Sequence, residues 1–342
     1  MKISIGVFAY NEENNVARIL GQIAAQSLLF APQVECDVYV LANGCTDRTV
    51  AAAESALATL SSSPTARFVV CDLAFKGKSR TWNHYVHVLT RADVDCHVFM
   101  DADIDLVEVD TLAKMAALLG SPGVQVVNSR PVKDIEHRGG RLGPIDKLIL
   151  KSGGTLTDYR KSICGQLYMA RDSAVRPIHL PLGLPVEDGF VRAMILTSLL
   201  TEDEDLQRIT GDAGIFHVYE SIRTIAGLIR HQTRIVIGSS INEALFRVIR
   251  RSPAERSARA QLLAAAAADE GWLERTIDAE LPRWPYGYVS FKFLGKRLRG
   301  ASNPSRRRLR KMPVLLVGLA FDALVFAVAS LQMLKGRGAG YW

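Results

Sequence analysis

The sequence predicts an α/β fold with a mainly parallel central sheet, followed by a helical and basic C-terminal region. Three observations predict it. Short apolar runs alternate with helical spacings over the first 130 residues, polar motifs recur at the ends of those runs, and basic charge collects after residue 220. Strand, helix, strand in repetition means a mainly parallel sheet with helices on both faces.

The strand candidates are Ile3 to Ala9, Cys36 to Ala42, Arg67 to Cys71, Cys96 to Met100 and Val124 to Val127. All are short, rich in Val, Ile, Phe or Cys, and read as buried strands. Between the first two, Val16, Ile19, Leu20 and Ile23 recur at i, i+3, i+4 and i+7, which is one face of a helix. Thr46 or Asp47 can cap a second helix through Val50 to Leu60. Ligands bind such sheets beyond the carboxyl ends of the strands, so the residues following each strand carry the functional reading.

The chain has 342 residues, enough for one large domain or two ordinary ones. Hydrophobic residues at 48% and charged residues at 23% exclude an intrinsically disordered chain and a polytopic membrane protein. Residues 1–220 hold 21 basic and 27 acidic side chains, whereas residues 221–342 hold 21 and 8, so the net +7 originates in the C-terminal part. That asymmetry predicts an anionic partner for the tail, a phosphate-rich surface or nucleic acid. Five cysteines, Cys36, Cys45, Cys71, Cys96 and Cys164, show no paired spacing and indicate neither a disulfide frame nor a zinc site. Buried free thiols fit a reducing cytosol. The start, Met1-Lys2-Ile3-Ser4, enters an alternating run at once and lacks a secretory pattern, so export is not expected.

Polar groups crowd the strand ends. Ala9-Tyr10-Asn11-Glu12-Glu13 follows the first strand, Asn43-Gly44-Cys45-Thr46-Asp47 the second, Asp72 and then Lys76-Gly77-Lys78 the third, and Asp101-Ala102-Asp103 the fourth. Two carboxylates one residue apart at the end of a buried strand repel each other unless a cation joins them. Hard divalent ions such as Mg²⁺ or Mn²⁺ take carboxylate oxygens and keep positions open for substrate phosphates. An isolated Asp-x-Asp is more often a solvated turn; its place at the fourth strand end gives this one weight.

In the order and spacing of these motifs, residues 1–240 resemble the inverting glycosyltransferases of family 2, which have the GT-A fold. The resemblance rests on Ala9 to Glu13, Asn43 to Thr49, Lys76-Gly77-Lys78-Ser79 with Asn83, Asp101-Ala102-Asp103, and Glu187-Asp188. It implies a GT-A type nucleotide-diphospho-sugar transferase, a divalent Mg or Mn cofactor and transfer with inversion. It also implies that the first two strand ends (Ala9, Tyr10, Asn11, Glu12, Asn43), with Asp72, Lys78 and Asp101, hold the donor. Asp101 and Asp103 then hold the metal, and the later acidic pair supplies the base.

The chemistry asks for the same parts. A departing nucleoside diphosphate gains negative charge, which a metal held by Asp103 and Asp101 would neutralise. The attacking hydroxyl loses its proton on the far side of the sugar, so a carboxylate is needed away from the metal. Asp188 is the candidate, at the head of a helix expected through Val191 to Leu200, with Glu187 binding the acceptor or orienting the loop. The plainer alternative is a carboxylate that merely complements the helix dipole. Lys78 is either a phosphate ligand or a solvated loop lysine. His217, in an apolar run, is either a core residue or a third metal ligand, since neutral imidazole ligates well. Two departures from the family stand out: Ala42 and Asn43 occupy positions where many members carry adjacent aspartates that read the base, and Gln232-Thr233-Arg234-Ile235 only echoes the Gln-x-x-Arg-Trp of processive synthases. Single-sugar transfer follows.

Residues 241–305 read as a helical, aromatic and basic extension, and 306–342 as a membrane-associating end. Ile222, Ile225, Ala226 and Ile229 form an apolar stripe, and Arg223, Arg230 and Arg234 share a helix face able to meet phosphates. An alanine-rich helix, Ala260 to Asp269, precedes Trp272, Trp284, Tyr286, Tyr288, Phe291 and Phe293, interleaved with Lys292, Lys296, Arg297 and Arg299. Arg306 to Lys311 then leads into Met312 to Leu334, long enough to cross a bilayer but carrying Asp322. An unpaired charge at mid-span costs roughly 2.5–3.5 kcal/mol. Membrane attachment at the cytosolic face, where nucleotide sugars are made, is expected over nucleic-acid binding, and the acceptor is then a lipid or lipid-linked saccharide. The competing class is an inactive GT-A scaffold that binds anionic lipid or nucleic acid. No Gly-rich phosphate loop follows the first strand, which argues against nucleotidyltransferases and nicotinamide-binding proteins.

Overall fold

A computed structural model of the chain describes residues 1–60, 65–139, 143, 158–281, 289–294 and 308–335. Its N-terminal part runs β1 (Lys2–Ala9), α1 (Val16–Ala24), β2 (Glu35–Asn43), α2 (Thr49–Thr59), β3 (Ala66–Leu73), α3 (Lys78–His84) and β4 (Cys96–Asp101). β1 pairs in parallel with β2 and β4, and β2 with β3, each strand within two residues of its sequence-based bounds. All but the first residue of β1 are buried, as expected for a strand covered on both faces. Val16, Ile19, Leu20 and Ile23 are buried on α1, as their spacing predicts.

Beyond β4 the sheet departs from a simple series. A short β5 (Ile104–Asp105) and α4 (Thr111–Leu119) lead to β6 (Val126–Asn128) and β7 (Arg130–Lys133). The fifth strand candidate, Val124 to Val127, corresponds to β6, which does not pair with β4. Instead β8 (Leu167–Arg171) inserts between β4 and β6 and is antiparallel to both. With β9 (Ile209–Thr210) at the edge, the main sheet has the order β3-β2-β1-β4-β8-β6-β9, and a second sheet places β10 (Phe216–Tyr219) between β5 and β7. Reversal of β8 places its N-terminal end, rather than its C-terminal end, beside Asp101.

The chain continues through α5 (Asp134–Arg138), α6 (Asp172–Val175), α7 (Glu187–Leu196), α8 (Ile225–Arg251), α9 (Arg256–Ala268), α10 (Trp272–Glu280) and α11 (Arg308–Leu334). α7 opens at the acidic pair itself and stops four residues short of the expected Leu200, because Ser198, Leu199 and Leu200 turn left-handed with φ of 50°, 66° and 64°. α8 passes through residue 240 without a break. Its buried Val236, Ile237, Ile241 and Leu245 share one apolar core with Phe190 and Val191 of α7, Leu263 of α9, Leu273 of α10 and Val325 of α11. The C-terminal helices therefore pack on the sheet domain through a common interior. Trp284, Tyr286, Tyr288, Lys296, Arg297, Arg299, Arg306 and Arg307 lie outside the described residues.

Candidate active site

The loops after β1 and β2 are tied to each other. Asn11 Oδ1 accepts the Thr46 amide at 2.8 Å, Thr49 Oγ1 accepts the Glu12 amide at 2.8 Å, and Asp47 accepts the amides of Glu13 and Thr49 at 3.1 and 3.0 Å. Asp47, not Thr46, thus serves the start of α2. Asn11 sits at φ 57°, which a short amide side chain tolerates better than most. Asn43 is buried and donates its side-chain amide to the Ala9 carbonyl at 3.0 Å, so it holds the strand ends together. Gly44 has φ +62°, and a Cβ there would stand 2.5 Å from Lys76 Cγ, so this turn requires glycine. Tyr10 lies open at the cleft edge, with Lys76 Nζ 5.6 Å from its ring centroid. Asp72 is exposed on β3 opposite Ala42, and no hydrogen bond or ion pair joins it to the other site residues.

The decisive contact is one lysine. Lys78, first residue of α3, places Nζ 2.7 Å from Asp101 Oδ1, 3.1 Å from Glu187 Oε1 and 3.1 Å from the Gly165 carbonyl oxygen. It is neither a solvated loop lysine nor free to meet phosphates alone. Burial by itself would lower its pKa, but Asp101 and Glu187 outweigh that and raise it, so the ammonium is permanent. Asp101 is pushed up to about 6 by burial, with Asp103 and Glu187 adding to the rise and Lys78 opposing it; at neutral pH the pair is ionic. The fourth strand end and the head of α7, 86 residues apart in sequence, thereby meet in one cleft.

Asp103 is exposed to the cleft and has no ion pair among the described residues. The surrounding walls still desolvate its carboxyl in part and, with Glu12 nearby, raise its pKa. Glu12 is likewise raised, by burial and then by Asp101 and Asp47 against the Asn15 hydrogen bond. Asp188 is raised by burial first and by Glu187 second, which disfavours its charge and makes it a stronger base than an ordinary aspartate. Its helix is braced from below: a Cβ on Gly238 of α8 would come within 2.2 Å of Val186 Cγ2, and Asn242 donates to the Val186 carbonyl at 3.0 Å.

His217 is fully buried on β10 with both nitrogens engaged, Nδ1 by Ser129 Oγ at 2.9 Å and Nε2 by Gln166 Oε1 at 3.3 Å. Burial lowers it to about 3, so the ring is neutral. Because an amide oxygen only accepts, Nε2 carries the hydrogen and Nδ1 accepts from the serine hydroxyl. Gln166 also accepts the Asp101 amide through its backbone carbonyl at 2.9 Å, so one residue separates His217 from Asp101. Among the described residues no three His, Cys, Asp or Glu side chains are gathered into a ready ligand group. The all-oxygen pair Asp101 and Asp103, crowded by Glu12, does fit a hard cation, with Asp103 the side chain left open to it.

Sequence reasoning missed Gly165 and Gln166. A Cβ on Gly165 would stand 3.3 Å from Glu187 Oε1 and 3.5 Å from Asp188 Oδ2, so a side chain here would press on both acids. The available signal was a Gly-Gln pair flanking the apolar run Leu167 to Ala170, at its beginning rather than its end.

Residues 4–169 match the family described as Glycosyl transferase family 2. Over that segment the chain is similar to family 2 glycosyltransferase domains. Among solved structures, the mannosyltransferase PcManGT from Pyrobaculum calidifontis, in complex with GDP-Man and Mn2+, is 17% identical, covering 97% of this chain and 86% of that one, with a TM-score of 0.54. Glucosyl-3-phosphoglycerate synthase from Mycobacterium tuberculosis, in complex with Mn2+, UDP-Glc and phosphoglyceric acid, is 20% identical over 70% of this chain and 79% of that one, with a TM-score of 0.45. S. aureus TarS 1-349, in complex with UDP, is 16% identical over 98% and 92%, with a TM-score of 0.45. No curated protein matches the chain in sequence. The fold is of the GT-A type, and the family match ends at residue 169, before the acidic pair of α7.

At the C-terminus, 19 residues of α11, Leu316–Leu334, have a mean hydropathy of 1.9, and this is one helix long and apolar enough to cross a membrane. α11 packs along α8. Asp322 is buried on the packed side with Val325, Ala329 and Met333, whereas Leu316, Val317, Leu324, Leu331 and Leu334 are exposed. Phe291 extends that exposed apolar surface, 5.4 Å from the Phe326 ring. The apolar stripe of Ile222, Ile225, Ala226 and Ile229 starts before α8, which begins at Ile225, and Ile225 is 78% exposed. Of the three arginines, Arg223 is bound to Asp134 at 2.8 Å, Arg230 is exposed, and Arg234 acts electrostatically on Asp188.

Proposed function

We propose that the protein is a metal-dependent, inverting glycosyltransferase that moves one sugar from a nucleotide-diphosphate donor to an acceptor hydroxyl, with Asp188 as the base. The observation that carries this reading is the Lys78 bridge, which brings the strand-end acids and the helix-start acids to one cleft. Asp103 with Asp101 would hold the divalent Mg or Mn ion, and His217 would join them through Nε2 on releasing Gln166 and moving its ring hydrogen to Nδ1, which would then donate to Ser129. When bound, that ion supplies Lewis-acid neutralisation of the leaving diphosphate.

The chain's own groups divide the remaining work. Asp188 takes the acceptor proton as the hydroxyl attacks, and Glu187 holds the base end of the cleft in register with Asp101 through Lys78. Lys78 also keeps a permanent positive charge beside the leaving group. Tyr10, with the backbone around Ala9, Asn11 and Glu12, borders the nucleoside, while Asn43 supports that loop from behind. We assign residues 1–240 to catalysis, 241–305 to the helical extension and 306–342 to membrane association. The outward apolar face of α11, with the basic run before it, supports attachment to the cytosolic membrane face and a lipid or lipid-linked saccharide as acceptor.

Release of free diphosphate from a panel of nucleotide sugars, with Mn²⁺ and with chelator, tests the core of the proposal. One donor is expected to turn over with Mn²⁺ only, and Asp103→Ala to remove that turnover. Full activity in chelator would overturn the metal assignment. For the tail, truncation before Arg306 is expected to move the protein from the membrane pellet to the supernatant, and unchanged sedimentation would refute attachment.

A further inference from the structure

A cavity of about 420 Å³ opens beyond the carboxyl ends of β1 and β2, and half of its wall comes from outside the region matching the family. Tyr10, Asn43, Lys76 and Arg80 line one side. Glu270, Leu273 and Glu274, at and before the start of α10, line the other. Arg80 pairs with Glu270 at 2.6 Å, which fastens the C-terminal extension onto this edge of the sheet domain. Glu274 is exposed at the cavity and has no ion pair among the described residues, and Lys76 has no carboxylate partner there either.

The position is where an open α/β sheet takes a nucleoside, and the size suits one. The second strand ends in Asn43, an amide already committed to the Ala9 carbonyl, so no carboxylate stands at that strand end to recognise a base. We propose that the donor base seats in this cavity and is guanine, recognised by Glu274 of the C-terminal extension. This rests on the nucleotide-sugar reading above and adds the base and the residue that reads it. The chemistry selects among bases. Guanine alone presents two adjacent N–H donors, N1 and N2, to a carboxylate, and it presents O6 and N7 as acceptors to a cation such as Lys76. Uracil's single N3–H is flanked by two carbonyl oxygens that a carboxylate repels, and adenine sets an acceptor nitrogen where guanine has a donor. Tyr10 supplies an aromatic face on which the base stacks.

Calorimetric titration of the full chain with GDP, UDP and ADP, in Mn²⁺, tests this. GDP is expected to bind at least about tenfold tighter than the other two, as a bidentate base contact allows. E274Q, at an exposed and unpaired position, is expected to weaken GDP about tenfold while leaving UDP and ADP within about twofold. Equal affinities in the wild-type chain, tighter binding of UDP or ADP, or an unchanged GDP affinity in E274Q would each overturn the assignment. If no nucleoside diphosphate binds, the glycosyltransferase reading itself falls and takes this one with it, so the two failures are distinct.

Discussion

Two regions of this molecule handle aspartate in opposite ways. At the cleft, Asp103 stands exposed among other acids, Asp101 shares Lys78 with Glu187, and Asp188 is held beside a second carboxylate. On α11, Asp322 is turned inward among Val325, Ala329 and Met333, while leucines and a valine face outward. A water-facing helix normally does the reverse. The two surfaces hold different kinds of unrelieved free energy. Like charges held together at a cleft store electrostatic repulsion that a cation or a proton relieves. An apolar face left outside stores hydrophobic free energy that a lipid surface relieves.

That contrast can be broken most decisively at Asp188. Asp188→Asn is expected to lower transfer by about 10²–10⁴-fold, the usual worth of a general base. Binding of the nucleoside diphosphate should stay within about twofold. Transfer retained within tenfold would show that this acid only completes a helix start. In the wild-type chain, burial and Glu187 raise the Asp188 pKa, and in the role proposed for it Asp188 would work only when deprotonated. The rate should therefore fall as pH drops below neutral, about tenfold per unit, beginning at higher pH than an ordinary aspartate near 3.9 would allow. A pH-rate profile flat down to pH 5 would contradict the assignment.

Next in size comes the bridge. Lys78→Met leaves the Asp101 and Glu187 carboxylates facing each other with the ammonium removed, and their side chains are only 23% and 10% exposed. Urea unfolding is expected to show a loss of about 3 kcal/mol, the typical cost of breaking one partner from a buried pair. Lys78→Arg should recover part of this stability. If Met unfolds at the wild-type midpoint, the cleft's acids do not depend on that charge.

The smallest effect concerns the brace beneath the base. Gly238→Ala gains helix propensity worth about 0.5–1 kcal/mol but forces Val186 to move, at about 1–3 kcal/mol for overpacking. The net expectation is a loss of about 1 kcal/mol in stability together with a larger loss of turnover than of donor binding, since Val186 directly precedes Glu187. A variant more stable than wild type with full turnover would show that α8 does not position the acidic pair.

Much of the site was legible as local chemistry. Apolar runs placed the parallel strands, and the polar residues just after them gather at one edge, because parallel strands bring their carboxyl ends together there. The same rule overlooked Gly165 and Gln166, since β8 runs backwards and brings its beginning to that edge. Direction is a property of pairing, not of one strand's residues.

By itself the sequence determined which segments bury themselves and where charge gathers, because periodicity and composition act over a few neighbouring residues. It specified β1 to β4, the acids at 101, 103, 187 and 188, and an apolar C-terminal helix. Tertiary structure alone decided that Lys78 joins two of those acids, that Gln166 lies between His217 and Asp101, and that Glu270 and Glu274 wall a cavity beside Tyr10. These contacts join residues from 23 to more than 200 positions apart. Their partners are chosen by packing and charge in three dimensions, and no local pattern carries that choice.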